Sequence, residues 1–600
     1  MYIKEIKKKN KYSDKIFVYH RLVESYRTPK GPRQRIILNL GALTIPEEQW
    51  KMLADRIEEI IHKQNRLFNI PEEIEKLAQH YASLIVDNKS VEVDSEIKEE
   101  EENFHEVDIN TIETSNVKTI GGEYLSYSYL KKLKLDELFK KLGFTKYEQD
   151  IAIWLIVGRL LNPGSELSTY EWGLKISGMD ELLNTNFKNY SLSGLYRTSE
   201  LLYKNKDKIE EYLREEEKNI YSLDEKIILY DLTNTYFEGR HYDKKITFGR
   251  SKEKRRDCRL ITMGLVVDEY GFPKKSEFFE GNVSEPKTLE KILEQLKSEK
   301  TKTIIIDAGI ATEENLKMIK EKGFDYLCVS RSKPKEEDKN NDFILIKETE
   351  DNKIEARLVK KENEQVLLCK SKSKELKESA MLESFRKKFE EGLESIKESL
   401  KKKTGVKKYE KVMERLGRLK QITHGVYQFY DIEVIKDEKG NVKEINYKYS
   451  KEEEAKEKYS GQYYIKTSRM DLKEKEIWEL YITLNGIEDS FRSMKEDLGM
   501  RPVFHRKNTR IEAHLFITVL AYHILNAIRY ELRKKDIFLS WNRIRKHFST
   551  MVLSTVSMVT KDNKTIYIRN TSKPNDFQKE IFDKLNLNGK IINKKITIVE

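Results

Sequence analysis

Two aspartates occupy equivalent places in the sequence, each directly after a short apolar run. The segment IILY precedes Asp231, and the segment TIII precedes Asp307. A short continuous apolar run is typical of a buried strand, and adjacent parallel strands place such positions side by side at one edge of a sheet. Two poorly solvated carboxylates at that edge repel each other unless a cation lies between them. The pair therefore predicts a divalent-cation site.

A third carboxylate, Glu488, lies in a segment with helical periodicity. Apolar residues recur there at spacings of four and three, which predicts a helix facing a core: Leu480, Leu484, Ile487, Phe491, Met494 and Leu498. Glu488, Arg492 and Lys495 form the neighbouring stripe. The Asn485-Gly486 pair weakens this helix or begins it afresh. Oxygen ligands favour Mg²⁺ or Mn²⁺ over zinc, and two such ions can hold both oxygens of a phosphoryl displacement.

Each part of this pattern also has a purely structural explanation. An Asp after a strand caps a following turn or helix as readily as it binds a metal. Glu488 and Arg492, one helical turn apart, also form an ordinary ion pair worth a few tenths of a kcal/mol. Spacing alone favours the ion pair for Glu488, whereas the two aspartates together are more informative than either alone.

Basic residues flank the acids in the sequence. Residues 250–259 carry six basic and two acidic side chains, and residues 492–514 carry six Lys or Arg and three acidic side chains. Such groups attract the DNA backbone and position it. The predicted DNA contacts among them are Lys252, Lys254, Arg255, Arg256, Arg492, Lys495, Arg501, His505, Arg506, Lys507 and Arg510. The alternative is a solvated charged surface.

The second basic segment also holds two histidines, His505 and His514. They are nine positions apart, and no third partner lies nearby in the sequence. We therefore expect a structural or phosphate-facing role for both rather than metal ligation.

The elements that must position the first two acids are predicted within residues 223–334. The segments KIILYDLTNTYFEG and RLITMGLVVDEYGFPKKSEFFEGN indicate three strands, with a turn at Asp268–Pro273. A helix at Pro286–Leu296, the strand before Asp307, a helix at Glu313–Glu321 and the strand FDYLCVS follow. This order predicts an α/β core with a mixed sheet.

The remaining regions of the chain are assigned from their hydrophobic periodicity and composition. The expected regions are a hairpin (15–42) with helices in 1–90, an acidic linker at 91–118, a helical region at 119–222, an insertion domain at 335–470, a second core part with the Glu488 helix at 471–535, and a C-terminal region at 536–600. The first and third of these regions are the expected DNA-binding regions. The charged helical stretch 371–420 is interpreted as a solvated arm.

Composition limits the class of protein. The chain has 600 residues, 36% of them charged, and a formal net charge of +11. Its three cysteines are too few and too widely spaced for a disulfide framework or a zinc site. No secretory signal is apparent at the N-terminus, and the apolar stretch Ile511–Ile528 contains enough polar residues to predict a buried core helix. We expect a soluble cytoplasmic protein that associates with the nucleoid when bound to DNA.

Several motifs together resemble the DDE transposases of bacterial insertion sequences. They are VYHRLVESYRTPKGPRQRIILNLG, YDLTNTYFEG, FGRSKEKRRDC, GLVVDEYGFP, FFEGNVSE, IIIDAGIATEENL and IEDSFRSMKEDLGMRPVFHRKNTRIEAHLFITVLAYHIL. They spread over most of the chain. The chain is similar to the insertion sequence 4 superfamily with its Y-R-E-K signature, and above all to the insertion sequence 1634 group.

This resemblance implies an RNase H-like core and a metal-binding triad of Asp231, Asp307 and Glu488. It also implies that an insertion domain separates the second Asp from the Glu. Tyr481 and Lys495 match signature residues that hold the cleaved strand end, and we add Tyr481 to the predicted DNA contacts.

One position departs from the signature. Leu484 stands where the family has an Arg. We interpret Leu484 as a packing residue, so the role of that Arg is either absent or supplied elsewhere, for which Arg492 is a candidate.

The resemblance implies an activity and partners. We expect binding to terminal inverted repeats, hydrolysis that frees a 3′-OH, and attack of that hydroxyl on another strand, with two Mg²⁺ or Mn²⁺ ions. Double-stranded DNA of the element's ends and target is the expected partner, held by a homodimer in a synaptic complex and not at a membrane. The alternatives are an RNase H-like nuclease without strand transfer and a non-catalytic DNA-binding protein derived from a transposase.

Overall fold

The structure is a computed structural model. It describes residues 1–9, 16–28, 31–62, 70–87, 104–223, 226–238, 246–249, 257–296, 302–330, 342–402, 404–423, 425–458 and 461–599. The chain divides into two units. Unit 1 comprises Met1–Glu216, Glu238–Asp243 and Arg492–Glu600, and unit 2 comprises Glu217–Phe237 and Lys244–Phe491.

Unit 1 begins with a three-stranded antiparallel sheet and two helices. These elements are β1 (Tyr2–Lys9), β2 (Ile16–Thr28), β3 (Gly31–Gly41), α1 (Trp50–Ile61) and α2 (Glu72–Asp87). The hairpin of β2 and β3 is the one predicted over residues 15–42, and β1 pairs with the other edge of β2. Leu53 and Ile57 of α1 share a buried cluster with Leu22 of β2, because helix and strand both place apolar residues on one face.

One strand and seven helices follow in unit 1. They are β4 (Val107–Thr119), α3 (Gly121–Lys132), α4 (Leu135–Lys141), α5 (Lys146–Leu161), α6 (Glu166–Lys175), α7 (Met179–Leu182), α8 (Leu192–Lys204) and α9 (Lys206–Tyr221). The region predicted to be helical is helical. A capping box starts α5, where Thr145 and Glu148 each accept a backbone hydrogen bond from the other.

Unit 2 begins with the predicted α/β core. Its elements are β5 (Ile227–Tyr236), β6 (Leu260–Asp268), β7 (Pro273–Glu280), α10 (Leu289–Gln295), β8 (Thr303–Ile306), α11 (Glu313–Glu321) and β9 (Asp325–Ser330). The order of three strands, helix, strand, helix and strand is the predicted one, and the sheet is mixed. Strands β5, β8 and β9 are parallel, whereas β6 and β7 run antiparallel to their neighbours.

The rest of unit 2 adds four strands to this sheet, together with a separate hairpin and several helices. The elements are β10 (Ile344–Thr349), β11 (Asn352–Lys360), β12 (Gln365–Ser371), α12 (Lys372–Lys401), α13 (Tyr409–Ile422), β13 (Tyr430–Lys436), β14 (Val442–Tyr449), α14 (Glu452–Lys458), β15 (Gln462–Thr467), α15 (Glu474–Ile482) and α16 (Leu484–Arg492). The nine strands lie in the order β10-β11-β12-β15-β9-β8-β5-β6-β7.

The segment predicted as an insertion domain, 335–470, is therefore not separate from the core sheet. Its strands β10, β11, β12 and β15 continue that sheet beyond β9. Its helices α12 and α13 pack with the β13–β14 hairpin around a cluster of their own, which includes Phe389, Leu416 and Ile445. Local patterns predicted the strands, whereas their pairing across a long sequence separation is decided by tertiary packing.

Unit 1 resumes with a π-helical turn at Ser493–Asp497 and six further elements. These are α17 (Asn508–Arg533), α18 (Trp541–Phe548), β16 (Val552–Thr560), β17 (Thr565–Thr571), α19 (Asp576–Lys584) and β18 (Lys595–Val599). The strands form a four-stranded sheet in the order β18-β17-β16-β4. Strand β4 lies within the segment predicted as a linker, 91–118, because its β-branched residues pair with β16.

Helix α17 is the buried core helix predicted from Ile511–Ile528. Within the described part of the chain it is the one helix long and apolar enough to cross a membrane, and its apolar stretch is completely buried inside the protein. It packs against α5 and α8 of the same unit.

Candidate active site

The first two acids lie on adjacent parallel strands. Tyr230 of β5 pairs with Ile306 of β8 as the last pair of this parallel ladder, and Asp231 and Asp307 directly follow those two residues. Asp231 is half-buried within β5, and Asp307 is exposed just after β8 ends. The two apolar runs therefore form adjacent parallel strands, as predicted.

The pleat of the sheet fixes the face on which Asp231 lies. Strands pair in register from Leu229 of β5 across β8 and β9 to Thr467 of β15, so these two residues point to one face. Side chains alternate between the two faces along a strand. Asp231, two positions after Leu229, and Tyr463, four positions before Thr467, therefore point to that same face. Trp478 of α15 donates its indole N–H to the Tyr463 hydroxyl at 3.0 Å. Helix α15 therefore covers the Asp231 face, and α10 and α11 pack on the other.

Glu488 lies on α16. The single helix predicted over 480–498 is two helices, which break at Thr483 and are followed by the π-helical turn. Ile487 is buried while Glu488 is exposed, as the two predicted stripes require. Leu484, the residue at the signature Arg position, is half-buried at the start of α16.

The hydroxyl of Tyr481, in α15, is affected by the charges of two of the three acids. Burial contributes most to raising the pKa of its hydroxyl, and the charges of Asp307, Cys369 and Glu488 raise it further. The charges of Asp307 and Glu488 thus act on the same hydroxyl group. The Tyr481 ring lies 5.6 Å from that of Tyr463, centroid to centroid.

The ligand atoms of the three predicted catalytic carboxylates do not all lie within 4.8 Å of one another. Among the described residues, the one group of His, Cys, Asp or Glu whose ligand atoms all lie within 4.8 Å of one another is Glu166, His505 and His514. The three predicted catalytic acids do not form such a group.

The predicted DNA contacts have different surroundings. Those that lie outside the described residues are Lys252, Lys254, Arg255 and Arg256. Those with exposed side chains are Arg492, Arg506 and Lys507. Those that are half-buried are Tyr481, Lys495 and Arg501.

Two further predicted contacts, Arg510 and His505, have protein partners in unit 1. The Arg510 Nε donates to Glu200 Oε1 at 2.8 Å, and its guanidinium lies 4.6 Å from the centre of the Tyr196 ring. His505 contacts a carboxylate oxygen of Glu166 through Nε2. Both acids lie more than 300 positions earlier in the chain, so spacing along the sequence could not indicate either contact.

The sequence analysis missed the third partner of the two histidines. Glu166 is buried and lies 3.6 Å from His514 Nδ1 through Oε1. The buried guanidinium of Arg159 contacts the His514 ring, and burial lowers the pKa of Arg159 to about 10. Burial, followed by the charge of Arg159, lowers the pKa of His514 to about 4. Glu166 is therefore a third group beside His505 and His514, although none is nearby in the sequence.

The three cysteines are free thiols, as predicted. Cys258, Cys328 and Cys369 are all buried. Burial raises the pKa of both Cys328 and Cys369 to about 12, so these thiols stay protonated and do not offer thiolate ligands near the acids.

Two family models match the chain. The model described as "Transposase DDE domain" matches residues 222–524, which is more than half of the chain. The chain belongs to the DDE transposases. The model described as "IS1634 family transposase, N-terminal domain" matches residues 6–74, so the N-terminal region of this transposase is similar to that of the IS1634 family. The resemblance stated from the motifs is confirmed, and so is the assignment as a DNA transposase, an enzyme of a family that uses divalent metal ions.

Other comparisons add little. No curated protein matches the transposase. Among solved structures, it is similar to a chain of the cryo-EM structure of a piggyBac transposase synaptic complex with hairpin DNA. The TM-score is 0.31 at 9% sequence identity, over 67% of this chain and 70% of that chain. At this level the likeness carries no inference about this transposase.

Proposed function

We propose that Asp231, Asp307 and Glu488 of this transposase hold two Mg²⁺ or Mn²⁺ ions during strand cleavage and strand transfer. The observation that supports the proposal is the parallel pairing of β5 with β8, whose last paired residues directly precede Asp231 and Asp307. The charges of Asp307 and Glu488 both act on the Tyr481 hydroxyl, which supports adding the third acid.

The donor set fits such ions. All three groups are carboxylates, and hard oxygen ligands are those that Mg²⁺ and Mn²⁺ prefer. Within the described part of the chain neither Asp307 nor Glu488 forms an ion pair, and both are exposed. Their charge is therefore available to a cation, unlike that of Glu200, which pairs with Arg510.

The chain's own residues bind the ions and orient the strand end. When bound, two divalent ions stabilise the negative charge that develops on the attacking and leaving oxygens. The β5–β8 pairing fixes Asp231 and Asp307 on a rigid sheet, and α16 brings in Glu488 from the side. The raised pKa of Tyr481 keeps its hydroxyl protonated, so it donates a hydrogen bond to a phosphate oxygen of the strand end. Hydrolysis frees a 3′-OH, which then attacks a second phosphodiester and releases its 3′ leaving oxygen.

We also propose that the five strands in the order β7-β6-β5-β8-β9 are the RNase H-like core. The support is an antiparallel meander, β5 to β7, followed by two strands parallel to β5 and connected through helices α10 and α11.

DNA recognition is assigned to unit 1. We propose that the N-terminal region 1–90 and the helices of 119–222 bind the terminal repeats. Exposed Arg492, Arg506 and Lys507, with half-buried Lys495 and Arg501, position the DNA backbone. We further propose that a homodimer holds two ends together in a synaptic complex.

Cleavage and joining assays on DNA that carries the element's own terminal repeats test the function. We expect nicking that requires Mg²⁺ or Mn²⁺, and joining when pre-cut ends are supplied. Glu488→Gln should reduce both by about 10³-fold, because losing about 4 kcal/mol of charge stabilisation changes a rate by that factor. Asp489→Asn is the matched control, since Asp489 is an exposed acid on the same helix.

Each of the other outcomes would favour a different function. Nicking without joining would leave the nuclease alternative, and neither reaction by well-folded protein would leave the non-catalytic DNA-binding alternative. Full activity in Glu488→Gln, or in Asp307→Ala, would disprove the site assignment.

A further inference from the structure

Unit 1 contains a second set of metal-ligating groups, remote in sequence from the three acids. Glu166 is the first residue of α6, His505 lies in the segment before α17, and His514 lies within α17. One ligand atom from each lies within 4.8 Å of the other two. His505 Nε2 contacts Glu166 Oε2, and His514 Nδ1 lies 3.6 Å from Glu166 Oε1.

Glu166 carries an oxygen without a partner. Its side chain is completely buried, and among the described residues no donor forms a hydrogen bond with Oε1. A buried carboxylate oxygen without a hydrogen bond is destabilising, and native proteins usually satisfy such an atom with a donor, a water or an ion. This oxygen faces His514 Nδ1, so the unsatisfied atom points into the cluster.

Arg159 also contacts the His514 ring. Its Nη1 lies 3.2 Å from His514 Nε2 and its Nη2 lies 2.9 Å from His514 Nδ1. A metal ion takes the lone pair of one ring nitrogen, so the guanidinium must move away from that nitrogen when the ion binds.

We propose that Glu166, His505 and His514 form a zinc site. Zinc binds imidazole nitrogen and carboxylate oxygen at about 2.0–2.2 Å, so ligand atoms around a tetrahedral ion lie about 3.4 Å apart. The 3.6 Å between Glu166 and His514 already matches this spacing, and the remaining atoms lie within 4.8 Å. Water completes the fourth position.

The types of ligand atom give this site a different metal preference from that of the catalytic site. Two imidazoles and one carboxylate suit zinc, whereas the three acids offer oxygen alone and suit Mg²⁺ or Mn²⁺. The charge of Arg159 opposes cation binding, and Glu166 offsets that charge. The ion would tie α6 to α17 across more than 330 positions of sequence, so it would stabilise the fold of unit 1.

Metal analysis of the full-length protein tests the proposal. The background is the variant Asp231→Asn/Asp307→Asn/Glu488→Gln, which removes the catalytic carboxylates. After chelator treatment and reloading with ZnCl₂, we expect one zinc per chain by mass spectrometry of the metal, both in this variant and in the natural sequence. His505→Gln in the same background should lose that zinc. His547→Gln should retain it, because His547 stacks on Phe577 in another part of unit 1.

Reloading the natural sequence with CoCl₂ gives a measurement that needs no variant. A Co²⁺ ion in a four-coordinate site with nitrogen ligands has strong visible absorption bands, whereas Co²⁺ at an all-oxygen octahedral site absorbs weakly. We expect the strong bands, and their displacement by zinc.

Three results would overturn the proposal. They are no zinc in folded protein, zinc retained in His505→Gln, and zinc lost when only the three catalytic acids are replaced. The last result would place the ion at the catalytic acids, so failure of this proposal is distinguishable from failure of the catalytic one.

Discussion

Replacing Asp307 with Asn should stabilise the metal-free protein while abolishing its response to metal. Asp231 and Asp307 directly follow the last paired residues of neighbouring strands, and neighbouring strands lie about 5 Å apart. Two unit charges at that distance repel by about 1 kcal/mol in a water-like medium and about 3 kcal/mol at an effective dielectric constant of 20. Asp307 is exposed and Asp231 is half-buried, so the lower value, about 1 kcal/mol, applies.

Thermal unfolding in the presence of a chelator, and then with rising Mn²⁺, measures both effects. In chelator, Asp307→Asn should unfold about 2–4 °C higher than the natural sequence, which is the shift that about 1 kcal/mol produces in a unit of this size. Mn²⁺ at about 100 times its dissociation constant should stabilise the natural sequence by about 2.7 kcal/mol. The variant should show no such gain, because it has lost a ligand.

The matched control is Asp489→Asn, which removes an exposed acid on α16 that is not predicted to bind metal. It should respond to Mn²⁺ as the natural sequence does. The reasoning is refuted if Asp307→Asn unfolds at a lower temperature in chelator and still gains stability from Mn²⁺. In that event the two carboxylates neither repel each other nor share an ion.

Three further substitutions test individual packing contacts of the protein. Gly173→Ala should lower stability by about 1–3 kcal/mol, because its Cβ would lie 2.2 Å from a ring carbon of Trp154; an unchanged melting temperature would contradict that contact. Arg569→Met should cost about 3–5 kcal/mol, because it leaves Glu181 buried without the cation that now donates to it at 2.7 Å, and adding Glu181→Met should restore much of the loss. Gly486→Ala should raise stability by about 0.5–1 kcal/mol, because a Cβ there meets no atom within 4 Å; lower stability by chemical denaturation would refute this.

The first two acids could be found from the sequence because local patterns encode their positions. An apolar run before an Asp predicts the strand, and β5 and β8 have those runs, although β5 continues past Asp231 to Tyr236. The break between α15 and α16 was also foreseen in part, since Asn485-Gly486 weakens a helix and the break falls at Thr483.

Pairing at a distance could not be found in this way. Strand β12 pairs with β15 about a hundred residues later, and nothing in either segment specifies the other. Similarly, Glu166 reaches His505 across 339 positions, so a search for ligand spacing along the chain had no means of connecting them. Strand β4 was missed because its partner β16 lies near the other end of the chain.

The place of β15 in the sheet has a consequence for incomplete chains. Synthesis proceeds from the N-terminus, and β9 emerges well before β15, its neighbour on the side away from β8. A chain that stops before β15 leaves the backbone of β9 unpaired on that side, which invites aggregation. It also lacks α15 and α16, and with them the third acid. A truncated product therefore has two carboxylates and an exposed sheet edge, so mutations that shorten the gene should yield insoluble protein rather than an enzyme that cuts DNA without control.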